Sequence, residues 1–573
     1  MKILAINPGH NGSVCLIEDG KIIYYVEEER LSRMKYDGNP FKAALLALQN
    51  HKVDIIVLGG TAKESYPNVT WTGESMFHAF ARKFNKDIKV VDLTGHHHLG
   101  HAASTFYNSG FDEAACVVVD GCGSIKGARI GTNHHNGFEV ETIYKMSYPG
   151  EAEVIYQSIA DVSGNPVHSD TATVKAGPAV PITKAYEAVT HFLGWHFIEA
   201  GKTMGLAPYG KHDEMMPRLF DPKTNRGDFD ILFPQYPGGA FVRTDTAKGK
   251  YFANGNPGST DWHKDPTKVT QVAKDLAWQV QQETQRLVGD LIEKAAEETG
   301  LTNICISGGY GLNCMANYYF KKRFPKLNIY NDPAAHDGGT SIGLAKLVWY
   351  RESESKEKYP LKTLYLGPES SVNYASVDKI DTTKYKVTHV TDTEVAQMLK
   401  DQKIISYYQG RSEAGPRALG NRSILYTPLD PNGKDHVNTV KGREWFRPFA
   451  GSMLQEHFEE WFETYGMTES PFMMYAMDFK DDKKNVVPSI THVDGTCRIQ
   501  TVTKEQNENY YNLINEFYKL TGVPIVFNTS FNLGGEPLVE TVEDALEALE
   551  KSKIQYLYMP EINTLIEKIN NEN

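Results

Sequence analysis

Two groups of side chains in this sequence have the types and spacing to do chemistry, and they call for ligands of opposite charge. The first centres on Thr94–Ala103, TGHHHLGHAA, where His97 and His101 stand four residues apart. On a helix that spacing puts both imidazoles on one face, where they can grip a single ion. Asp120 ends the apolar run Ala114–Val119, a predicted strand that would deliver the carboxylate to the C-terminal edge of a sheet. That edge is where α/β proteins gather their ligand chemistry. Asp337 lies in PAAHDGGTSIG, another strand-end turn leading into a helix. Two imidazoles and two carboxylates form a mixed nitrogen and oxygen set that suits Fe(II), Mn(II) or Zn(II), unlike a thiolate zinc site. Histidines at this spacing also pack or cap helices; the added aspartates and glycine turns favour the metal reading. His96 and His98 point elsewhere on the helix and are expected to contact substrate or support the ligands.

The second group is rich in arginine. Gln409–Ser423 reads QGRSEAGPRALGNRS, directly after the apolar strand Ile404–Tyr408. Val440–Pro448 (VKGREWFRP) adds Lys441, Arg443 and Arg447, and Asp494–Gln500 (DGTCRIQ) adds Arg498. Val526–Gly535 (VFNTSFNLGG) supplies Asn528, Ser530 and Asn532. Guanidinium groups on glycine-rich turns suit a bidentate grip on phosphate or carboxylate oxygens. Such a cluster inside a chain of formal net charge −12 implies an anionic ligand of high charge, such as ATP with a small phosphorylated acyl donor. The acidic balance weighs against broad nucleic-acid binding.

These residues need a scaffold, and at 573 residues two domains are the expectation. Strand-like runs at Lys2–Ile6, Ser13–Ile17 and Lys21–Val26 lead through a helix at Pro40–Gln49 to a strand at Asp54–Leu58, an α/β pattern with a mixed sheet. Helical periodicity over Val269–Glu298 precedes a strand at Asn303–Ser307, so strand, glycine turn and helix recur in both halves of the first 350 or so residues, hinting at a duplicated fold. The charged stretch Arg351–Tyr359 places a domain boundary near residue 360, giving domains 1–360 and 361–573. Residues 210–268, rich in Gly, Pro, Asp and aromatics, are expected to be loops, either around a site or as a surface excursion.

Three glycine turns are candidate ligand loops. Pro8–Ser13 (PGHNGS) could face an anion with its amides. Ser307–Asn317 (SGGYGLNCMAN), with Gly308, Gly309 and Asn313, allows close approach of a phosphate at a helix start but lacks the lysine of a P-loop. Glu199–Gly210 (EAGKTMGLAPYG) has Lys202 as its one cation. No apolar run is long enough to span a bilayer, and none of the six cysteines forms a CxxC pair. A reducing, cytoplasmic setting is the expectation.

The run HHHLGHAASTFYNSGFDEAACVVVDGCG resembles the metal motif of the O-carbamoyltransferases of nodulation, cephalosporin and tobramycin biosynthesis. The paired Lys441-x-Arg443 and Ser530-x-Asn532 are similar to the signatures of YrdC-type adenylate-forming domains. The resemblance covers nearly the whole chain, with gaps at 151–183 and within 210–268. It implies an actin-like ATPase domain related to tRNA threonylcarbamoyltransferases, followed by a YrdC-like α/β domain. It further implies His97, His101, Asp120 and Asp337 as iron ligands and His10 as a residue close to the reacting hydroxyl. Asn11 stands where the family commonly has aspartate. Gly308, Gly309 and Asn313 fall on the family's phosphate-side loop. Arg417, Lys441, Arg443, Arg447 and Arg498 would neutralise phosphates, with Asn528, Ser530 and Asn532 orienting the carbamoyl group and the adenylate.

The implied reaction takes ATP with magnesium, carbamoyl phosphate and a small hydroxyl-bearing acceptor. Residues 151–183, which include HSDTATVKAG, have no recognised family equivalent, and the stretch 163–178 among them is expected to influence acceptor choice. Two alternatives share the fold: a threonylcarbamoyl-type enzyme acting on a nucleotide or tRNA, and a non-catalytic ATP- and metal-binding regulator. Hydrogenase-maturation carbamoyltransferases carry zinc fingers of CxxC type, which this sequence lacks.

Overall fold

The computed structural model describes residues 1–61, 76–130, 133–161, 174–175, 181–216, 218–221, 226–227, 233–234, 240–241 and 269–569. Most of 163–178 and of 210–268 therefore lies outside the described residues. The fold class is α/β throughout, and the chain forms two compact units. The first comprises Met1–Ile23 and Gly38–Leu361; the second comprises Lys362–Asn573 together with Tyr24–Asp37. That short N-terminal segment, which includes the helix α1 (Glu28–Ser32), was not separable from its surroundings by sequence pattern.

In the first unit two sheets repeat one plan. Strands β1 (Lys2–Asn7), β2 (Ser13–Glu18), β3 (Lys21–Glu27), β4 (Ile55–Leu58) and β5 (Lys89–Asp92) lie in the order β3-β2-β1-β4-β5. β1 is antiparallel to β2 and parallel to β4, and β4 is parallel to β5. The second sheet uses β6 (Glu113–Val119), β7 (Ile125–Ile130), β8 (Asn133–Ser147), β9 (Glu151–Asp161), β10 (Val174–Lys175), β11 (Asn303–Ser307) and β12 (Asn328–Asn331) in the order β10-β9-β8-β6-β11-β12, with β7 paired to β8. β6 is antiparallel to β8 and parallel to β11, which is parallel to β12. The central strands are continuous apolar runs such as Ile3–Ile6 and Ala114–Val119, as burial on both faces requires.

Helices α2 (Phe41–Asn50), α3 (Met76–Ala81) and α4 (His97–Ser109) belong to the first repeat. In the second they are α5 (Ile182–Phe192), α6 (Ala200–Leu206), α7 (Gln271–Thr299), α8 (Cys314–Arg323) and α9 (Thr340–Ser353). α7 starts where Thr270 accepts from Ala273 N–H (3.2 Å) and stops at left-handed Gly300. The last helix of each repeat, α4 and α9, pack on each other at Gly100 and Gly343. A Cβ at Gly343 would overlap the Gly100 carbonyl oxygen, so only glycine permits this crossing.

The second unit holds one nine-stranded mixed sheet. Its strands are β13 (Tyr385–His389), β14 (Ile405–Tyr408), β15 (Arg422–Tyr426), β16 (Ala450–Leu454), β17 (Ala476–Asp478), β18 (Thr496–Val502), β19 (Ile525–Ser530), β20 (Tyr556–Met559) and β21 (Thr564–Lys568), in the order β13-β21-β20-β14-β15-β19-β16-β18-β17. The helices include α10 (Asp392–Lys400) and α11 (Gly433–Lys441). All six cysteines are free and five are buried. Among the described residues no helix is long and apolar enough to cross a membrane.

Candidate metal centre and cation cluster

The repeat in the first unit explains how four distant residues meet. Asp120 follows β6, the first strand of the second repeat, while His10 lies just beyond β1, the first strand of the first. His97 and His101 open α4, the final helix of one repeat, and Asp337 stands immediately before α9, the final helix of the other. Crossed pairs result: His97 Nε2 lies 3.5 Å from Asp120 Oδ2, and His10 Nδ1 lies 3.0 Å from Asp337 Oδ2.

Around the first pair, His97 Nε2 and His101 Nε2 are 3.2 Å apart, and Asp337 Oδ1 is 3.6 Å from the former and 3.7 Å from the latter. One ligand atom from each of His97, His101, Asp120 and Asp337 falls within 4.8 Å of all the others. Donors bound about 2.1 Å from one ion in a tetrahedral arrangement are about 3.4 Å apart, so this set fits a transition-metal ion. Asp120 is aimed by Gly309, whose N–H donates to Oδ1 (3.0 Å) and leaves Oδ2 toward His97. Ser307 Oγ lies 3.4 Å from His101 Nδ1.

Burial opposes a charge on His97, but the Asp337 and Asp120 carboxylates more than offset it and raise its pKa to about 10. The Asp337 carboxylate, against the opposing effect of desolvation, raises half-exposed His10 to about 9. The carboxylates thus demand positive charge at this point, a demand that protons or a divalent ion can meet. His98 behaves differently. Burial lowers its pKa to about 4, and its Nδ1 is 2.7 Å from Thr142 Oγ1, so it ties α4 to β8 instead of joining the ligands. His96 is exposed, with Nδ1 3.4 Å from the Thr94 carbonyl oxygen.

Three residues of the expected phosphate loop have structural roles in the fold. The Gly309 amide is spent on Asp120, and Gly308 takes φ +86° with no room for a Cβ beside Val119. Asn313 caps α8 by accepting from Ala316 N–H (3.0 Å), and its Nδ2 donates to Gln281 Oε1 (2.9 Å). Lys202 forms an ion pair with Glu199 at 2.8 Å.

In the second unit Lys441 ends α11, and left-handed Gly442 turns the chain so that Arg443 follows on the same loop. Lys441 Nζ donates to the Ser530 carbonyl oxygen and reaches Ser530 Oγ and Asn532 Oδ1, each at 3.3 Å. Arg443 Nη1 donates to Thr529 Oγ1 (3.3 Å), with its guanidinium 4.8 Å from the Phe449 ring centre. Arg498 and Asn528 are both registered opposite Ala450 on flanking strands, which puts them on one face of the sheet. Asn528 Nδ2 donates to the Ala418 carbonyl oxygen (3.1 Å) and Ser452 Oγ (2.9 Å), anchoring the loop that carries Arg417.

Burial pushes the Lys441 pKa well down, and Arg443, Arg447 and Lys35 push it the same way. Burial, Arg447 and Arg498 likewise depress Arg443, with Glu444 alone opposing among its main influences. Cations that repel one another in a desolvated pocket are the arrangement an anion relieves. Lys35 was missed because nothing in the sequence places Tyr24–Asp37 with the second unit.

The arginine run itself divides. Arg422 is fully buried and donates to the carbonyl oxygens of Gln409, Asn421, Gly410 and Glu540 at 2.6–3.1 Å. Arg411 donates to those of Gly367 and Leu366. Both of these arginines hold backbone carbonyl oxygens. Segment Tyr24–Asp37 adds two more such clamps. Arg30 donates to the Glu413 (3.3 Å) and Gly415 (2.8 Å) carbonyl oxygens, and Arg33 to those of Leu538 (2.6 Å) and Pro537 (3.2 Å).

Residues 63–346 match the family model described as Carbamoyltransferase N-terminus, and residues 396–568 match Carbamoyltransferase C-terminus. The nodulation protein NolO of Bradyrhizobium diazoefficiens is 31% identical over 78% of this chain and 75% of its own length. NolNO of Sinorhizobium fredii is 29% identical over 94% of this chain and 76% of its own. The 3'-hydroxymethylcephem-O-carbamoyltransferase of Streptomyces clavuligerus is 25% identical over 97% of both chains. With both models matched in order along one chain, this protein belongs to the carbamoyltransferase family.

Proposed function

We propose that the chain is an ATP-dependent O-carbamoyltransferase that activates its donor in the second unit and transfers it in the first. Carbamoyl phosphate is hydrolysed to carbamate and phosphate. A carbamate oxygen attacks the α-phosphorus of magnesium-bound ATP, the bond to the bridging oxygen of the β-phosphate breaks, and pyrophosphate leaves carbamoyl adenylate behind. The observation that carries this reading is the mutual repulsion of Lys441, Arg443, Arg447 and Arg498, which two anionic substrates would relieve. Arg417 joins them from the loop that Asn528 anchors. Ser530 and Asn532, held together by Lys441, orient the carbamoyl end.

Transfer then joins the carbamoyl carbon to a hydroxyl oxygen of a small acceptor and releases AMP. An ion held by His97, His101, Asp120 and Asp337, Fe(II) by the family resemblance, would supply Lewis acidity toward the carbamoyl oxygen. His10 shares Asp337 with that ligand set, and once the carboxylate's charge is taken up its proton affinity falls. It is then a base suited to accept the proton of the hydroxyl.

The test separates the two stages. Isotope exchange between pyrophosphate and ATP should require carbamoyl phosphate, should vanish in Arg417→Ala and Lys441→Ala, and should persist in His97→Ala, which should lose transfer alone. Loss of exchange in His97→Ala would overturn this division. Absence of exchange in the wild-type chain would favour a regulator instead. Screening hydroxyl-bearing metabolites for the mass increment of one carbamoyl group identifies the acceptor, and replacing 163–178 should alter that choice while sparing exchange.

A further inference from the structure

The helix that carries both histidines begins without a cap of its own: His96 occupies the N-cap position and makes no side-chain capping bond. Its first amides find acceptors elsewhere in the chain. His97 N–H donates to Ser124 Oγ (3.0 Å) and His98 N–H to Glu139 Oε1 (3.1 Å). The same Glu139 oxygen accepts from Ser124 N–H (3.2 Å), and the other accepts from Gln157 Nε2 on β9 (2.9 Å). Backbone bonds reinforce the junction: Glu139 N–H donates to the Ser124 carbonyl oxygen (3.1 Å), and Gly123 N–H to that of Glu139 (2.8 Å). Lys126 Nζ lies 3.7 Å from Glu139 Oε2 and donates to the Gly95 carbonyl oxygen just before α4.

Glu139 is 0% exposed. A carboxylate so buried is costly unless its oxygens are satisfied, and both donors to Oε1 come from the two elements that hold three of the four metal-ligand candidates. His97 and His101 sit on α4, and Asp120 opens the turn that runs through Ser124. The negative group also faces the positive end of the helix dipole, which favours this arrangement. There is no slack at the joint: a Cβ on Gly123 would collide with Glu139 Cγ and His98.

We propose that Glu139, together with Ser124, is a positioning device for the metal centre: it locks the first turn of α4 to the turn after Asp120 and so sets the spacing between the histidine and aspartate donors. This rests on the metal reading given above. Co(II) binding to the purified full chain, followed by visible absorption and by metal content, tests it. Glu139→Ala should bind Co(II) roughly 10- to 100-fold more weakly with an altered spectrum, the range typical of groups that orient metal ligands. Ser124→Ala should show a loss of about 10-fold, toward the lower end of that range. Glu139→Gln, which keeps one acceptor oxygen, should recover most of the affinity. Carbamoyl-phosphate-dependent exchange should be unchanged in all three. Wild-type Co(II) affinity and spectrum in Glu139→Ala and Ser124→Ala would overturn the proposal; if Glu139→Ala fails to fold, Ser124→Ala decides alone. A wild-type chain that binds no Co(II) would overturn the metal reading itself, a distinct failure.

Discussion

In the first unit the imidazoles of the candidate metal centre face carboxylates, His97 against Asp120 and Asp337, His101 against Asp337, and His10 beside them against Asp337. In the second, Lys441, Arg443, Arg447 and Arg498 press against one another, and Glu444 is the one acidic group among the main influences on Arg443. The first cluster can balance its charges with protons when no ion is bound. The second has Glu444 beside Arg447 and a Lys441 whose proton is held weakly, and on the proposed function a bound anion relieves what repulsion is left. A pocket that accepts this cost stores binding energy for a ligand that neutralises it.

The largest expected effect comes from breaking the second cluster. Lys441→Ala should lower carbamoyl-phosphate-dependent exchange by roughly 100-fold or more, comparable to removing a preorganised electrostatic donor. Because the substitution also relieves repulsion, its melting temperature in the absence of substrates should match or exceed that of the wild type. A stability loss without a loss of exchange would mean that Lys441 is merely a strut for Ser530. Next, Asp337→Asn removes a carboxylate shared by His97, His101 and His10, and should abolish metal retention and transfer while exchange continues.

Arg30→Met should weaken exchange by roughly 10-fold, because a small displacement of a substrate-holding loop is enough to do so. It should cost about 2 kcal/mol of stability, the scale of lost hydrogen bonds to a charged group. Gly343→Ala should destabilise the chain by about 1–3 kcal/mol through overpacking at the α4–α9 crossing, and lower Co(II) affinity as α4 shifts. Lys35→Ala should have the smallest effect, about a 2- to 5-fold rise in KM for ATP that shrinks as salt is added, since Lys35 is exposed.

Local chemistry was legible where one element carries it. His97 and His101 are one helical turn apart, and the apolar run before Asp120 is a strand that ends there. Lys441 and Arg443 were likewise recognisable as a pair, with Ser530 and Asn532 as their counterpart. What pattern could not sort was the arginine run, because a guanidinium that grips phosphate and one that clamps a carbonyl have the same letter and the same glycine-rich setting. The bonded partners single out the clamps: Arg422 is fully enclosed and bonded to four carbonyl oxygens, and Arg411 to two.

The amino-acid sequence by itself therefore determined the two chemistries, a mixed nitrogen and oxygen donor set and a cation-rich loop system, because residue type and short-range periodicity fix what a helix face or a strand end presents. Only the tertiary structure decided which distant residues complete them. The repeated sheet order brings His10 and Asp120 from equivalent strands to the starts of exchanged helices, and the grouping of Tyr24–Asp37 with the second unit puts Arg30, Arg33 and Lys35 there. The physical reason is that such pairings follow from how buried sheets and helices pack, with Glu139 and Gly343 admitting one arrangement, and no local pattern records that choice.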